Sequence, residues 1–213
     1  MEQAKQKRNA ALSRENILAA AMVEFAEHGY DGARIDAVVK RAKVSKNLAY
    51  HYFGGKEDLF LQVMERMYSR MREHHEDLEI QGMSPIEGMS QLVRHTFAHF
   101  LAYPEVISLL NSENLHKAVH IRKSDRIAEL YYPLTRVIGG LLDRGVAEGV
   151  FRKGVDPMQL YITISGVGYF YLSNSHTLGT IFGTDLMADK LLKAREQHII
   201  DVVLGYLRPG GPR

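Results

Sequence analysis

The chain has 213 residues, 46% of them hydrophobic, with 27 Lys and Arg against 25 Asp and Glu and no cysteine. That length suits one moderate domain, or a small domain joined to a larger one, and the lack of cysteine excludes disulfides, thiol catalysis and cysteine zinc sites. No apolar run approaches the roughly 20 residues of a membrane span and no signal-peptide stretch opens the sequence, so a cytoplasmic protein with no membrane partner is expected.

Helical periodicity dominates from end to end and no strand pattern emerges, so the chain is expected to be all-α. Residues 1–12 carry Lys5, Lys7 and Arg8 against Glu2 and read as a basic flexible arm. Ser13 can then cap a helix with Ile17, Leu18, Ala21, Met22 and Phe25 on one face, ended by His28-Gly29. Residues 34–42 repeat the pattern with Ile35, Val38, Val39 and Ala42. Ser45 caps a third helix of two turns that stops near Phe53-Gly54-Gly55. Lys56 opens a long helix to about Glu79, with Leu59, Phe60, Val63, Met64 and Met67 along one side.

The second half stays helical. One amphipathic segment runs from Pro85 to Ala102, and another from Pro104 to about Leu115. A longer segment covers residues 120–148, with a kink expected at Pro133 and Gly149 as its C-terminal cap. Asp156-Pro157 reads as N-cap and first residue of a helix reaching about Leu178, and a last helix spans 186–207 before the tail RPGGPR. The expected organisation is the arm, a helix-turn-helix domain over 13–55, and a larger helical domain over 56–208.

Charge is unevenly spread. Residues 33–56 hold Arg34, Lys40, Arg41, Lys43, Lys46 and Lys56 against a single acid, Asp36, whereas residues 61–213 hold 17 basic and 17 acidic residues. A basic cluster alone can be a solvated surface, but here it coincides with two short helices joined by the turn Lys43 to Ser45, the outline of a helix-turn-helix. In that geometry the second helix enters the major groove of double-stranded DNA. Lys46 and Lys56 can neutralise phosphates, with Arg34 in the same cluster. Asn47 offers paired donor and acceptor groups to a base edge, and Tyr50 and His51 supply further donors. The N–H groups that Ser45 caps also favour an anion.

The stretch ILAAAMVEFAEHGYDGARIDAVVKRAKVSKNLAYHYFGGKEDLF resembles the N-terminal domain of the TetR family of bacterial transcriptional regulators over about residues 13–60. The segment RGVAEGVFRKGVDP is similar to the family's connection before the penultimate helix, and Tyr103-Pro104 resembles the subgroup that contains the pyrimidine-utilisation regulator. The resemblance implies a homodimeric repressor that binds a palindromic operator and is released by a small organic effector bound in the C-terminal domain. Three features depart from the family pattern. Ala33 stands where a capping Thr is usual, which should cost the second helix about 1 kcal/mol. Lys43 stands where the turn usually has Gly, which costs about 1 kcal/mol more if the backbone there is left-handed. Leu48-Ala49 replace a common Thr-Leu pair.

For an effector, Phe97, Phe100, Tyr103, Tyr131 and Tyr169 could line an aromatic pocket with Asn111 or Ser165 as polar contacts, although each aromatic taken singly fits ordinary core better. Dimerisation is expected through the last two long helices, with Tyr161, Ile164, Gly168 and Tyr171 at helical spacing. His95/His99 and His116/His120 have metal-binding spacing, but no carboxylate is fixed beside either pair by sequence, so exposed helix-face histidines and no metal are expected. No cofactor and no catalytic residue is implied: there is no Gly-x-Ser-x-Gly motif and no phosphate loop. The alternative, a ligand-independent or architectural DNA binder, would not need some 150 residues of charge-balanced helices.

Overall fold

The computed structural model describes residues 2–76 and 80–210, and within them every regular element is a helix. Ten α-helices follow one another: α1 (Glu2–Gly32), α2 (Ile35–Ala42), α3 (Lys46–Phe53), α4 (Lys56–Glu76), α5 (Pro85–Ala102), α6 (Pro104–Leu115), α7 (Asp125–Ala147), α8 (Pro157–Ser173), α9 (Ser175–Phe182) and α10 (Asp189–Leu207). None of the helices described is long and apolar enough to cross a membrane. Contacts divide the chain into two compact units, Met1–Arg70 with Pro104–Glu129 and Met71–Tyr103 with Leu130–Arg213. The division differs from the expected boundaries, because most of α4, all of α6 and the start of α7 group with the helix-turn-helix.

In the first unit α1 begins at Glu2, so the expected arm continues the helix and Ser13 lies within it rather than capping it. The side chains of Lys5, Lys7 and Arg8 lie outside the described residues. Ile17, Leu18, Ala21, Met22 and Phe25 are buried as their spacing requires. The helix breaks at Gly29, whose φ of 65° and ψ of 179° suit glycine alone. Just beyond the break the Tyr30 N–H donates to Ser112 Oγ at 3.0 Å, which ties the end of α1 to α6. Phe60 of α4 meets Phe25 and Tyr30 edge-on, with ring centroids 4.9 and 5.1 Å apart.

The N-cap of α2 is Arg34, which makes no side-chain cap, while Ala33 before it is buried. The missing cap therefore falls one residue later than the family comparison suggested. The Arg34 N–H is served instead by Glu24 Oε1 of α1 at 3.1 Å. At the other end Lys43 is left-handed, φ 56° and ψ 43°, and the Val44 N–H closes on Val39 O at 3.1 Å. This is the closing pattern that glycine ordinarily serves, so the lysine costs about 1 kcal/mol.

After α6 the backbone turns through Lys117 and Ala118, both at positive φ, and a 3-10 turn (Ile121–Lys123) precedes α7. The helix expected from residue 120 thus starts at Asp125, and it stays helical through Pro133. The cause is Glu113, a buried carboxylate that accepts the N–H groups of His120 and Ile121 at 3.0 Å each and fixes them outside the helix.

The second unit packs α5, α8 and α10 together. Ser84 and Glu87 form a reciprocal capping box at the start of α5, and the Asp156 carboxylate accepts from the Met158 and Gln159 N–H groups at the start of α8. The core draws on Met89, Leu92, Val93, Phe97 and Phe100 of α5, Leu160 and Ile164 of α8, and Ile199, Ile200 and Val203 of α10. The helix expected to reach Leu178 ends at Ser173, because Asn174 (φ −108°, ψ 12°) breaks it and α9 follows.

At the C-terminal end of α7, Gly149 (φ 73°) turns the chain as expected, and the Phe151 N–H returns to Gly145 O at 2.9 Å. The Phe151 ring then lies directly on Gly145, where an added Cβ would sit 1.9 Å from Cδ2. Gly140, also on α7, has nothing within 4 Å of its Cβ position. Alanine should therefore stabilise α7 at 140 by up to about 1 kcal/mol through helix propensity and destabilise at 145 by about 2 kcal/mol through forced repacking. Urea denaturation of the two variants checks this opposition of sign.

Candidate nucleic-acid interface

α3 is held by its buried side. Ala49 and Phe53 are buried, Leu48 and Tyr52 are partly so, and Ser45 Oγ accepts the Leu48 N–H at 3.2 Å. The helix stops at Gly54 (φ 71°), whose N–H reaches Tyr50 O at 2.8 Å. The guanidinium of Arg14 lies 5.3 Å from the Phe53 ring centroid, and Arg14 also donates to Gln62 of α4.

The opposite side is exposed, and the structure brings Ser45, Lys46, Asn47, Tyr50 and His51 together on it. Positions 46, 47, 50 and 51 share one helical face. Arg34, Lys40 and Lys43 are exposed on the preceding segment of the same unit. Lys46 is not a lone cation: its Nζ is 2.7 Å from Asp36 Oδ1, which raises its pKa through the side-chain hydrogen bond and the charge of that carboxylate. Lys56 is also engaged, with Nζ donating to Asp31 O at 3.1 Å and lying 5.0 Å from the Tyr30 ring centroid. Arg41 pairs with Glu27 at 2.9 Å.

The residues considered for an effector scatter. Asn111 belongs to the first unit, whereas Phe97, Phe100, Tyr103, Ser165 and Tyr169 belong to the second, and the Tyr131 side chain lies outside the described residues. Phe97 and Phe100 are core, and Phe100 meets Tyr169 edge-on at 5.7 Å. Burial raises the Tyr169 pKa, with an opposing hydrogen bond from Ser173. Ser165 Oγ is buried and has no hydrogen-bond partner among the described residues.

The face of α8 expected to meet a second subunit is used inside the chain. Ile164 is buried, the Gly168 Cβ position lies 3.3 Å from Phe97, and the Tyr171 hydroxyl donates to Leu186 O at 2.8 Å. Tyr161 is partly buried. Met158, Ile162 and Phe170 of the same helix are 53%, 53% and 57% exposed, and Val202 and Tyr206 of α10 are also exposed.

The histidines differ from expectation as well. His99 and His120 are buried. His99 packs beside Phe100 and Tyr103, and His120 Nδ1 lies 2.7 Å from Glu113 Oε2, its ring 4.2 Å from Tyr30 and 4.9 Å from Phe60. His116 Nε2 instead faces Asp31 Oδ2 at 3.1 Å, so the two rings of that pair address different carboxylates. Among the described residues, the set of His and carboxylate atoms close enough to share a cation is Glu24, Glu27 and His28, and its glutamates already serve Arg34 and Arg41.

A three-helix head whose capped third helix exposes cationic and amide groups defines a helix-turn-helix DNA-binding protein. Residues 17–63 match the family described as bacterial regulatory proteins, tetR family, and residues 85–203 match the tetracyclin repressor-like C-terminal domain. The chain belongs to the TetR family and is a DNA-binding transcriptional regulator. It is 35% identical over 182 residues to the HTH-type transcriptional repressor NicS of Pseudomonas putida, covering 85% of each chain. It is 21% identical to the regulator RutR of Escherichia coli, covering 96% of this chain and 95% of that one. A crystal structure of a Streptomyces coelicolor transcriptional regulator aligns with TM-score 0.69 and 25% identity over 92% of this chain and 99% of that one. The Bacillus subtilis regulator FadR, solved in complex with stearoyl-CoA, aligns at 0.64 and 18% identity over 92% and 100%, a likeness of fold.

His116, held by the Ser112 carbonyl and by Asp31, gives the first unit a pH dependence of definite sign. The His116 pKa is raised, chiefly by the Ser112 carbonyl that its Nδ1 meets at 2.8 Å, and further by Asp31, against the cost of burial. A histidine pKa raised on folding contributes stability that is full below the unfolded value of about 6.5 and is lost as pH rises through the folded value. Melting temperatures between about pH 6 and pH 8.5 should therefore fall more steeply in the wild type than in His116→Gln.

Proposed function

We propose that the chain is a ligand-responsive repressor that binds a two-fold symmetric operator as a homodimer and leaves it when a small organic effector occupies the C-terminal helical unit. The observation that carries this reading is the α3 face, where Lys46, Asn47, Tyr50 and His51 are exposed on a helix fixed by its cap and by Phe53. Arg34 and Ser45 flank that face, and Lys56 contributes to phosphate binding with the ammonium protons that Asp31 leaves free. The name of NicS as a repressor supports repression as the output.

The effector reading rests on the second unit. Ser165 Oγ is a buried hydroxyl with no partner among the described residues, and such groups usually mark an unmet ligand, ion or water. Tyr169, one helical turn from Ser165 and edge-on to the buried Phe100, is the aromatic side chain that a small organic molecule with one hydrogen-bonding group would meet there. That the related FadR was solved with stearoyl-CoA supports a ligand site in this fold without naming the ligand here.

For the dimer we place the interface on the exposed side of α8 and α10: Met158, Ile162 and Phe170 with Val202 and Tyr206. Gly166 and Gly205 lie on exposed positions with nothing within 4 Å of their Cβ sites, which lets partner helices approach closely. Two helices from each subunit would form a four-helix interface. Operator half-sites should then lie about 34–36 Å apart or at a multiple of that.

Enrichment of random duplexes by the wild-type protein should return a palindrome. Asn47→Ala should lose discrimination at one base pair per half-site, worth about 1–3 kcal/mol, with little change elsewhere. Retention of the full site preference by that variant would remove α3 from the reading role. In sedimentation, Ile162→Glu should shift the wild-type dimer to monomer, because an unpaired carboxylate buried at the interface costs several kcal/mol, or about a hundredfold or more in dissociation constant. An intact dimer would move the interface off α8.

A further inference from the structure

Asp36 is the only acid among the six cations of residues 33–56, and it stands beside the first residue of α3. Its Oδ1 is 2.7 Å from Lys46 Nζ, yet both side chains are well exposed, at 73% and 49%. An exposed pair of this kind contributes little to folding, because water screens it, so stability gives little reason for an acid on this surface. Its consequence for DNA is larger. The Lys46 charge is cancelled where a phosphate would approach, and a phosphate that takes the lysine leaves a bare carboxylate beside a polyanion. In the major groove that carboxylate is tolerated where it finds a donor, such as the N4 amino group of cytosine.

We propose that Asp36 is a specificity-determining residue: it holds Lys46 in an ion pair, suppressing sequence-independent phosphate binding and releasing the lysine when α3 is seated on its proper site. The proposal rests on α3 being the DNA-reading helix. It assigns the acid a role opposite to that of its basic neighbours, lowering affinity for DNA in general so that affinity for one site stands out.

The test uses the full-length protein, a random-sequence duplex, and the duplex enriched by the wild type, each titrated across a salt series. Asp36→Asn keeps the size and removes the charge. It should bind random duplex more tightly at 0.1 M salt by up to about eightfold for each subunit engaged, with a salt slope steeper by about 0.9 for each. Binding to the enriched duplex should tighten less, so the specificity ratio falls. Asp36→Glu should behave as wild type, which separates charge from any weakening of α2, and the gain should vanish in a Lys46→Ala background. An unchanged slope on random DNA in Asp36→Asn, where Lys46→Ala lowers the slope on the enriched duplex, would overturn the role of Asp36 and leave the reading helix in place. An equal gain on both duplexes would also overturn it. No response to either Lys46→Ala or Asp36→Asn would remove this face from the DNA and overturn both readings.

Discussion

Two buried side chains, Ala49 and Phe53, fix the orientation of α3, and everything the helix offers to DNA depends on that seating. Eight residues are too few for a helix to persist alone in water, since the nucleation cost exceeds what two turns recover. The exposed groups at 46, 47, 50 and 51 therefore have a defined direction only while Phe53 stays in place. Arg14 reinforces that contact from α1 by lying over the ring and reaching Gln62 of α4. The residues that read and the residues that hold lie on opposite sides of the same two turns. Polar substitutions on one side should change recognition, while apolar ones on the other should change folding first.

The approach to α3 carries local strain at both ends of α2. α2 begins without a side-chain cap and ends on a left-handed lysine, two positions where the residue type opposes the backbone. Each costs on the order of 1 kcal/mol. The fold offsets the first with Glu24, which crosses from α1 to take the Arg34 N–H, and the second with the closing bond from Val44 to Val39. Sequences commonly break local rules near functional surfaces and compensate from neighbouring elements. Here the extra cation at the turn increases positive charge beside the reading helix, which is a physical reason for lysine where glycine would be more comfortable.

What could be read from the sequence was local. Ser45, Asp156 and Gly149 each set a boundary by hydrogen bonds within a few residues, Pro85 opens α5 by its fixed φ, and the structure puts them where the sequence placed them. The α3 face was equally legible, because a two-turn helix with Ala49 and Phe53 inside leaves one outside. Groupings that depend on distant elements were not. Glu113 reaches seven residues on to His120 because Lys117 and Ala118 reverse the chain, and Asp31 reaches His116 from the end of α1. No spacing rule connects those positions, so both carboxylates were invisible and His120 was expected in solvent.

The two sides of α8 show a different limit, one set by composition. A helix of a two-layer protein is polar on its outer face, and that contrast is what periodicity detects. α8 has no charged residue from Pro157 to Ser173, and apolar side chains occur all round it. Ile164 and Gly168 serve the core, while Ile162 and Phe170 remain in solvent, and nothing in the residue types separates the two sets. The same lack of contrast is informative once the buried side is known. Large side chains left exposed on a helix without charges make a poor water-facing surface, and Val202 and Tyr206 of α10 are exposed in the same unit. Where such side chains join into one apolar patch, they mark an interaction site more often than a free face. The outer side of α8 is, for that reason, a surface that a partner subunit would protect from water.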